Sequence, residues 1–565
     1  METDKTDLEG VKGMPQTLNM KEDQGIGGSD AKQHESSDEC REAETIVYLE
    51  GVRFWLVTIS LAVFVFMVHL EIPIVTTALI SIIDDLGGFE HAAWVISSYL
   101  LGYVAVIVIL AKLSDILGRK PVYVFSIIVF VIFSAACSAA QSMTQLITFR
   151  AFQGIGGGGC FSLSTVIITE LVPKEKYPKY VSQLSIATSL ALLLGPIIGG
   201  AISSNTNWRW VFIINVPIGL TALLFAHIGL PHDFPHQGRA QGNAEKVGLV
   251  QKLTSKSSLV RVDIPGTFLL LVAVVFLTAG FEEADARFPW RSAYVISLLV
   301  LSAICWVVLL LWERYVTLQD GLREPILTWR FFTNRLMVGI LLCLTLLGGP
   351  LIVSIFQLPQ RFQLVHGLSG IQAGTRILPF TMSMPIGTIF AAGITNKGKL
   401  PVIFVIFAGS CLQVIGFALL GTLPITTDIP SQIYGFQVLA GFGGGMSYTL
   451  LYLLIPQTVE LRDQAVGMGA ASQIRMIGGA VTMAIATSVF NSHVRPELAR
   501  LLGASDLSSL LKLGMALSSM PIELQDEVRL VLCEGYNRQM IVLVVCSALQ
   551  IPAVFLLWKK KQLVV

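Results

Sequence analysis

Ala111-Lys-Leu-Ser-Asp-Ile-Leu-Gly-Arg-Lys-Pro121 is a short charged hinge wedged between two long apolar runs. Asp115 and Arg119 stand four apart with the acid first, the favourable order for a helical pair. Gly118 suits the end of one helix, and Pro121 suits the first turn of the next. Asp115 falls at the C-terminal end of its own helix, where the dipole is already negative. Either Arg119 compensates that charge, or Asp115 faces the positive N-terminus of another helix and acts as a latch.

Working outward, apolar runs of about 20 residues recur along the chain, each long enough to cross a bilayer as a helix. The 565 residues are 53% hydrophobic and only 14% charged, with mean hydropathy +0.69, whereas soluble domains are about one quarter charged. The fold class is therefore an all-α polytopic membrane protein, with little chain left for a large soluble domain. No basic patch with interleaved aromatics points to nucleic acid, and the net charge of +1 selects no partner. Six of eight cysteines (137, 160, 305, 343, 411 and 546) fall in apolar runs, so no disulfide framework is expected.

Residues 1–50 are polar and mostly acidic, without a signal peptide, and read as a disordered cytosolic tail. Spans follow at about 54–80, 92–113, 121–140, 145–170, 180–203 and 209–230. A basic linker over 231–262 precedes two spans at about 263–281 and 292–312, with a second linker reaching residue 335. Six more lie at about 336–358, 372–394, 401–421, 433–455, 465–490 and 538–558, with a long loop at 491–537 whose Leu/Met spacing suggests short amphipathic helices. That makes about 14 transmembrane helices.

Lysines and arginines cluster on one side: Arg119/Lys120, Lys174/Lys176/Lys179, Lys246/Lys252/Lys256, Arg323/Arg330/Arg335, Lys397/Lys399 and Lys559–Lys561. The opposite short loops at 82–91, 141–144 and 422–432 have none, which places both termini in the cytosol. An internal repeat is also visible. Gly118-Arg-Lys-Pro-Val122 recurs loosely as Gly398-Lys-Leu-Pro-Val402, and Gly154-Ile-Gly-Gly-Gly158 as Gly441-Phe-Gly-Gly-Gly445. Offsets of 280 and 287 residues in the same order imply two parallel six-helix halves, 51–230 and 336–565. The two spans between them have no counterpart and read as an insertion.

Charges inside a membrane are costly and point to function. Glu71 lies in the first span, two residues after His69. It either loads and releases a proton or only pairs with a buried Arg or His. Arg150 lies just inside the fourth span, Arg475 in mid-span, and Arg376 near a span end. Lys112 and Glu170 sit near interfaces, where snorkelling explains them. Arg150-Ala-Phe-Gln-Gly-Ile-Gly-Gly-Gly-Gly159 joins a cation, the Gln153 amide and a glycine face for close helix packing. The second copy has Gln437 where Arg150 stands, which assigns proton chemistry to the first half. Gly195-Pro-Ile-Ile-Gly-Gly200 marks either a functional bend or a simple kink in the fifth span. Arg475 and Gln357 are candidates for a central cavity.

Taken together these residues resemble the major facilitator superfamily. Lys112-Leu-Ser-Asp115 with Gly118-Arg-Lys120 resembles its loop 2–3 signature, and Arg150, Gln153, Gly154 and Gly156 its fourth-helix signature. Gly195, Pro196, Gly199 and Gly200 resemble the fifth-helix signature of proton antiporters. Trp208-Arg-Trp210-Val-Phe-Ile-Ile-Asn-Val-Pro-Ile-Gly219 is similar to the motif that follows it in fourteen-span drug:proton antiporters, especially fungal ones. The resemblance implies that Asp115, Gly118, Arg119 and Lys120 gate the cytosolic face. It also implies that Arg150 assists proton coupling at Glu71 and His69, and that the fifth-helix bend limits leak. Ala111, Pro73 and Ile80 depart from the family pattern, while Glu71 keeps its carboxylate.

The expected function is proton-coupled export of amphipathic toxins, drugs or secondary metabolites by alternating access. The chain would act as a plasma-membrane monomer in contact with lipid, using protons and no other cofactor, with no metal. Uptake or vacuolar storage of a siderophore-iron complex or basic amino acid competes with this reading, as does a non-transporting sensor. No catalytic constellation suggests an enzyme.

Overall fold

The computed structural model describes residues 48–87, 92–173, 176–231, 234, 261–285, 288–319, 323–397, 400–460, 463–513 and 521–559. The acidic tail, most of the 231–262 linker, Lys174, Gly398 and Lys399 lie outside these residues. Every long element is helical. Gly118 has φ 104°, a left-handed value that favours glycine, and it separates α2 (Ala92–Leu117) from α3 (Arg119–Ser138) within one residue. Before them comes α1 (Gly51–Leu86), and after them α4 (Met143–Leu171) and α5 (Tyr177–Asn205). Ser142 caps α4 by accepting from the Gln145 amide. The sixth span is broken at Ile214 into α6 (Trp210–Ile213) and α7 (Asn215–Gly229).

The inserted pair is α8 (Ile264–Glu283), capped by Asp263, and α9 (Ala293–Leu318), capped by Ser292. The second half comprises α10 (Arg330–Thr333), α11 (Arg335–Leu364), α12 (Gly370–Arg376), α13 (Leu378–Lys397), α14 (Val402–Gly421), α15 (Gln432–Thr458), α16 (Gln464–Leu513) and α17 (Ile522–Val554). Among the described residues, thirteen helices are long and apolar enough to cross a membrane. The fourteenth expected span is α5, whose apolar part is the shorter stretch Ile186–Ile202.

The glycine repeat has a physical counterpart in the packing. On α4, a side chain at Gly154 or Gly158 would run into the Tyr99 or Tyr103 carbonyl of α2. On α15, a side chain at Gly441 or Gly445 would strike the Phe380 or Met384 carbonyl of α13 in the same way. Each half thus closes a helix pair at backbone contact, which small residues permit. On α5, Gly195 and Gly199 fit against Pro73 and Ile74 of α1, so the fifth-helix motif sits where two prolines-bearing helices touch.

The inserted helices are not equivalent. Helix α8 packs on both α2 and α16, while α9 packs mainly on α8 and is the least buried of the spans. Ile296, Val300, Ile304, Val307 and Leu311 leave α9 with an exposed apolar face suited to lipid.

The long loop at 491–537 takes a different form from the short separate helices expected. Its residues 491–513 continue α16 as one helix of 50 residues, and 522–537 begin α17. Val494, Leu498, Val528, Leu532 and Tyr536 form their own apolar cluster with Val365, which extends both helices. Cys533, which the sequence left outside the spans, is buried in this cluster.

Candidate functional site

Three sites emerge: a buried ionic cluster, a charged hinge and a central cavity. In the first, Glu71 of α1 is 1% exposed and Arg150 of α4 is fully buried. The Arg150 Nη1 pairs with Glu71 Oε2 and donates to Gln153 Oε1 at 2.8 Å. Its Nε donates to the Val95 carbonyl at 3.0 Å, and its guanidinium carbon lies 4.3 Å from the Tyr99 ring centroid. Gln153 Nε2 donates to Glu71 Oε1 at 2.9 Å and to Ser134 Oγ at 2.8 Å, and Asn215 Nδ2 donates to the same carboxylate oxygen. Helices α1, α2, α3, α4 and α7 all contribute. Charges removed from water need this level of satisfaction.

His69 is not part of this cluster. Positions two apart on a helix do not share a face, so His69 turns to the cavity instead. Its Nδ1 bonds the Val65 carbonyl at 2.8 Å and its ring meets Phe161 edge-on. Asn215 and Ser134 were missed as site residues. Asn215 left a signal, since it is a lone amide within the apolar run Val211–Ile218. Gly156 packs on the Phe130 backbone and Gly154 on Tyr99, so both hold α4 in place rather than touch the charges.

At the hinge, Arg119 pairs with Asp115 at 2.5 Å and with Glu170 at 2.6 Å, and donates to Ser114 Oγ at 2.7 Å. Asp115 Oδ2 is buried without a hydrogen-bond partner. Lys120 donates to the His227 and Leu230 carbonyls at 2.6 and 2.7 Å, so it caps the end of α7 within its own half. The snorkelling reading of Lys112 and Glu170 fails. Lys112 is buried and pairs with Glu324 at 2.7 Å, while Glu170 is taken by Arg119. Arg261 holds the same Glu324 at 2.5 Å. Burial alone would raise the Glu324 carboxyl, but Lys112 and Arg261 outweigh it and hold it below the ordinary 4.5.

The two halves meet beside the hinge. Ala111 of α2 abuts Gly469 of α16, and Gln473 donates to the Val104 carbonyl at 2.9 Å. The crossing is antiparallel, so α2 carries the Asp115 turn toward the first turn of α16. Nearer the other end of α5, Ser189 Oγ donates to the Thr381 carbonyl of α13 at 3.0 Å, and Pro196 lies against Gly374. Gly200 has no neighbour in the space a Cβ would fill.

Between these contacts lies a cavity of about 350 Å³, within the range of small-molecule sites. Both halves and α8 line it. Tyr99, Tyr103, Tyr448 and Tyr452 line it among apolar side chains, and the Tyr99 hydroxyl donates to the Val68 carbonyl at 3.2 Å. Arg475 reaches it, with Tyr452 Oη 3.4 Å from its Nε and the Tyr448 ring beneath. Gln357 lies behind this wall, donating to Met483 Sδ at 3.4 Å. Among the described residues no group of metal-ligating side chains is present.

Membrane-length helices in two halves around one central cavity define a polytopic membrane transporter. The Major Facilitator Superfamily matches residues 59–282 and 284–483, and the chain belongs to that family. It is 36% identical over 515 residues to the MFS-type transporter FPY5 of Fusarium mangiferae, covering 91% of this chain and 85% of that protein. It is 28% identical over 541 residues to the MFS-type efflux pump MFS1 of Trichophyton rubrum, covering 95% and 97%. Both relatives are fungal, and the second is named an efflux pump. Among solved structures, the human organic anion transporter MFSD10 shares the fold, with TM-score 0.56, 16% identity, and coverage of 90% of this chain and 100% of that one.

Proposed function

We propose that this chain is a proton-coupled exporter of amphipathic small molecules, working as a monomer in the plasma membrane with both termini in the cytosol. The observation that carries the reading is the tyrosine-lined, largely apolar cavity between two helical halves. An apolar cavity with scattered hydroxyls suits cargo that is itself mostly apolar. The relatives named as efflux pumps favour the outward direction.

Glu71 is the coupling carboxylate in this reading. Arg150, Gln153 and Asn215 surround it within the first half, so proton release would require a shift among α1, α4 and α7 that accompanies the rocking of the halves. Each proton moving down a potential of 100 mV supplies about 2.3 kcal/mol. The test uses inside-out vesicles with an acid lumen and a lipophilic dye. Wild type should concentrate dye until the pH difference is collapsed, and Glu71→Gln should cut that accumulation at least tenfold. Accumulation that ignores both the gradient and Glu71→Gln would reject proton coupling here.

A further inference from the structure

Helix α8 belongs to the inserted pair, which has no counterpart in the repeat, yet its last turn enters the central cavity. Thr278, Phe281 and Glu282 line it alongside Ser97, Leu100 and Leu101 of α2. Ser97 is the polar neighbour of the Glu282 carboxyl. Glu282 Oε2 is buried and has no hydrogen-bond partner, and Glu282 has no ion pair among the described residues. This contrasts with Glu71, whose carboxylate is held by an arginine and two amides. The other titratable or charged groups lining the cavity are His69 on α1, Tyr99 and Tyr103 on α2, Tyr448 and Tyr452 on α15, and Arg475 on α16, and Glu283 follows Glu282 in sequence. Arg475 is already occupied by the Tyr448 ring and the Tyr452 hydroxyl.

A carboxylate in such apolar surroundings needs a proton or a cation to offset its loss of water. Aromatic rings around the same space attract cations through their faces. We propose that Glu282 is a cargo-binding residue, and that the preferred cargo is an amphipathic organic cation whose positive nitrogen or onium centre meets this carboxylate. The inserted helix would thereby supply the charge selectivity of a cavity otherwise built by the two halves. This rests on the exporter reading for the identity of the cavity.

The experiment is equilibrium binding to purified full-length protein, with no gradient present, which separates it from the vesicle test of export. Tetraphenylphosphonium is the cationic probe, and Nile red, neutral and apolar, reports an intact cavity. Wild type should bind both. In Glu282→Gln the ratio of tetraphenylphosphonium to Nile red affinity should fall at least tenfold, and Glu282→Asp should recover part of it. A ratio within twofold of wild type in Glu282→Gln would overturn the proposal. So would wild type binding Nile red but not tetraphenylphosphonium. Failure of the exporter reading would show elsewhere, as no gradient-driven movement of either probe in vesicles.

Discussion

The Arg150 guanidinium meets a carboxylate, an amide oxygen, a backbone carbonyl and a tyrosine face at once. Its only remaining nitrogen, Nη2, lacks a hydrogen-bond partner. A group held this fully tolerates little loss. Asn215→Ala removes one of the donors to a buried carboxylate, which costs about 1–3 kcal/mol. A lower midpoint of thermal unfolding in detergent is expected, and an unchanged midpoint would show that the carboxylate does not need that donor. The Glu71–Arg150 pairing was half legible in sequence, because only a few charges lie deep in apolar runs. Glu282 was not, because Phe281-Glu-Glu-Ala-Asp285 reads in sequence as the polar edge of a span. Only the packing of α8 on α2 shows that its carboxyl turns inward.

At the scale of elements, Glu324 in the segment after α9 is held from α2 by Lys112 and from the linker before α8 by Arg261, which adds an ionic tie to the direct packing of α8 on α2. A carboxyl held below its ordinary 4.5 stabilises the fold above that pH, and the contribution fades as pH falls through the lowered value. Wild type should therefore lose thermal stability below about pH 4.5 more steeply than Glu324→Gln. Parallel pH profiles for the two proteins would show that the tie carries no weight. Sequence located the hinge and the glycine faces, since both depend on residue type at short range. It missed the length of α16 because polar residues beyond 490 read as loop. There the helix is kept by contacts with α17, a chain neighbour reached only through residues 514–520.

For the whole molecule, α2 and α16 form a seam between the halves, and the alternating access proposed for this chain would require it to open. A Cβ at Gly469 would fall 2.9 Å from that of Ala111, inside the roughly 3.5–4.5 Å of a disulfide, so cysteines at both positions, placed in a chain otherwise free of cysteine, should cross-link once the helices part by about 1 Å. Oxidation should stop dye movement in vesicles and reductant should restore it, whereas transport through an oxidised, cross-linked seam would show that this contact need not part. Helix α16 carries more than the seam. Along its length it presents Gly469 to α2, Arg475 to the cavity, and Val494 and Leu498, which flank Pro496, to the outer cluster. A helix of 50 residues is about 75 Å long against a hydrocarbon core of about 30 Å. The part of it that exceeds the hydrocarbon core is a place where a fluorophore should register tilting of the seam without entering the transport path.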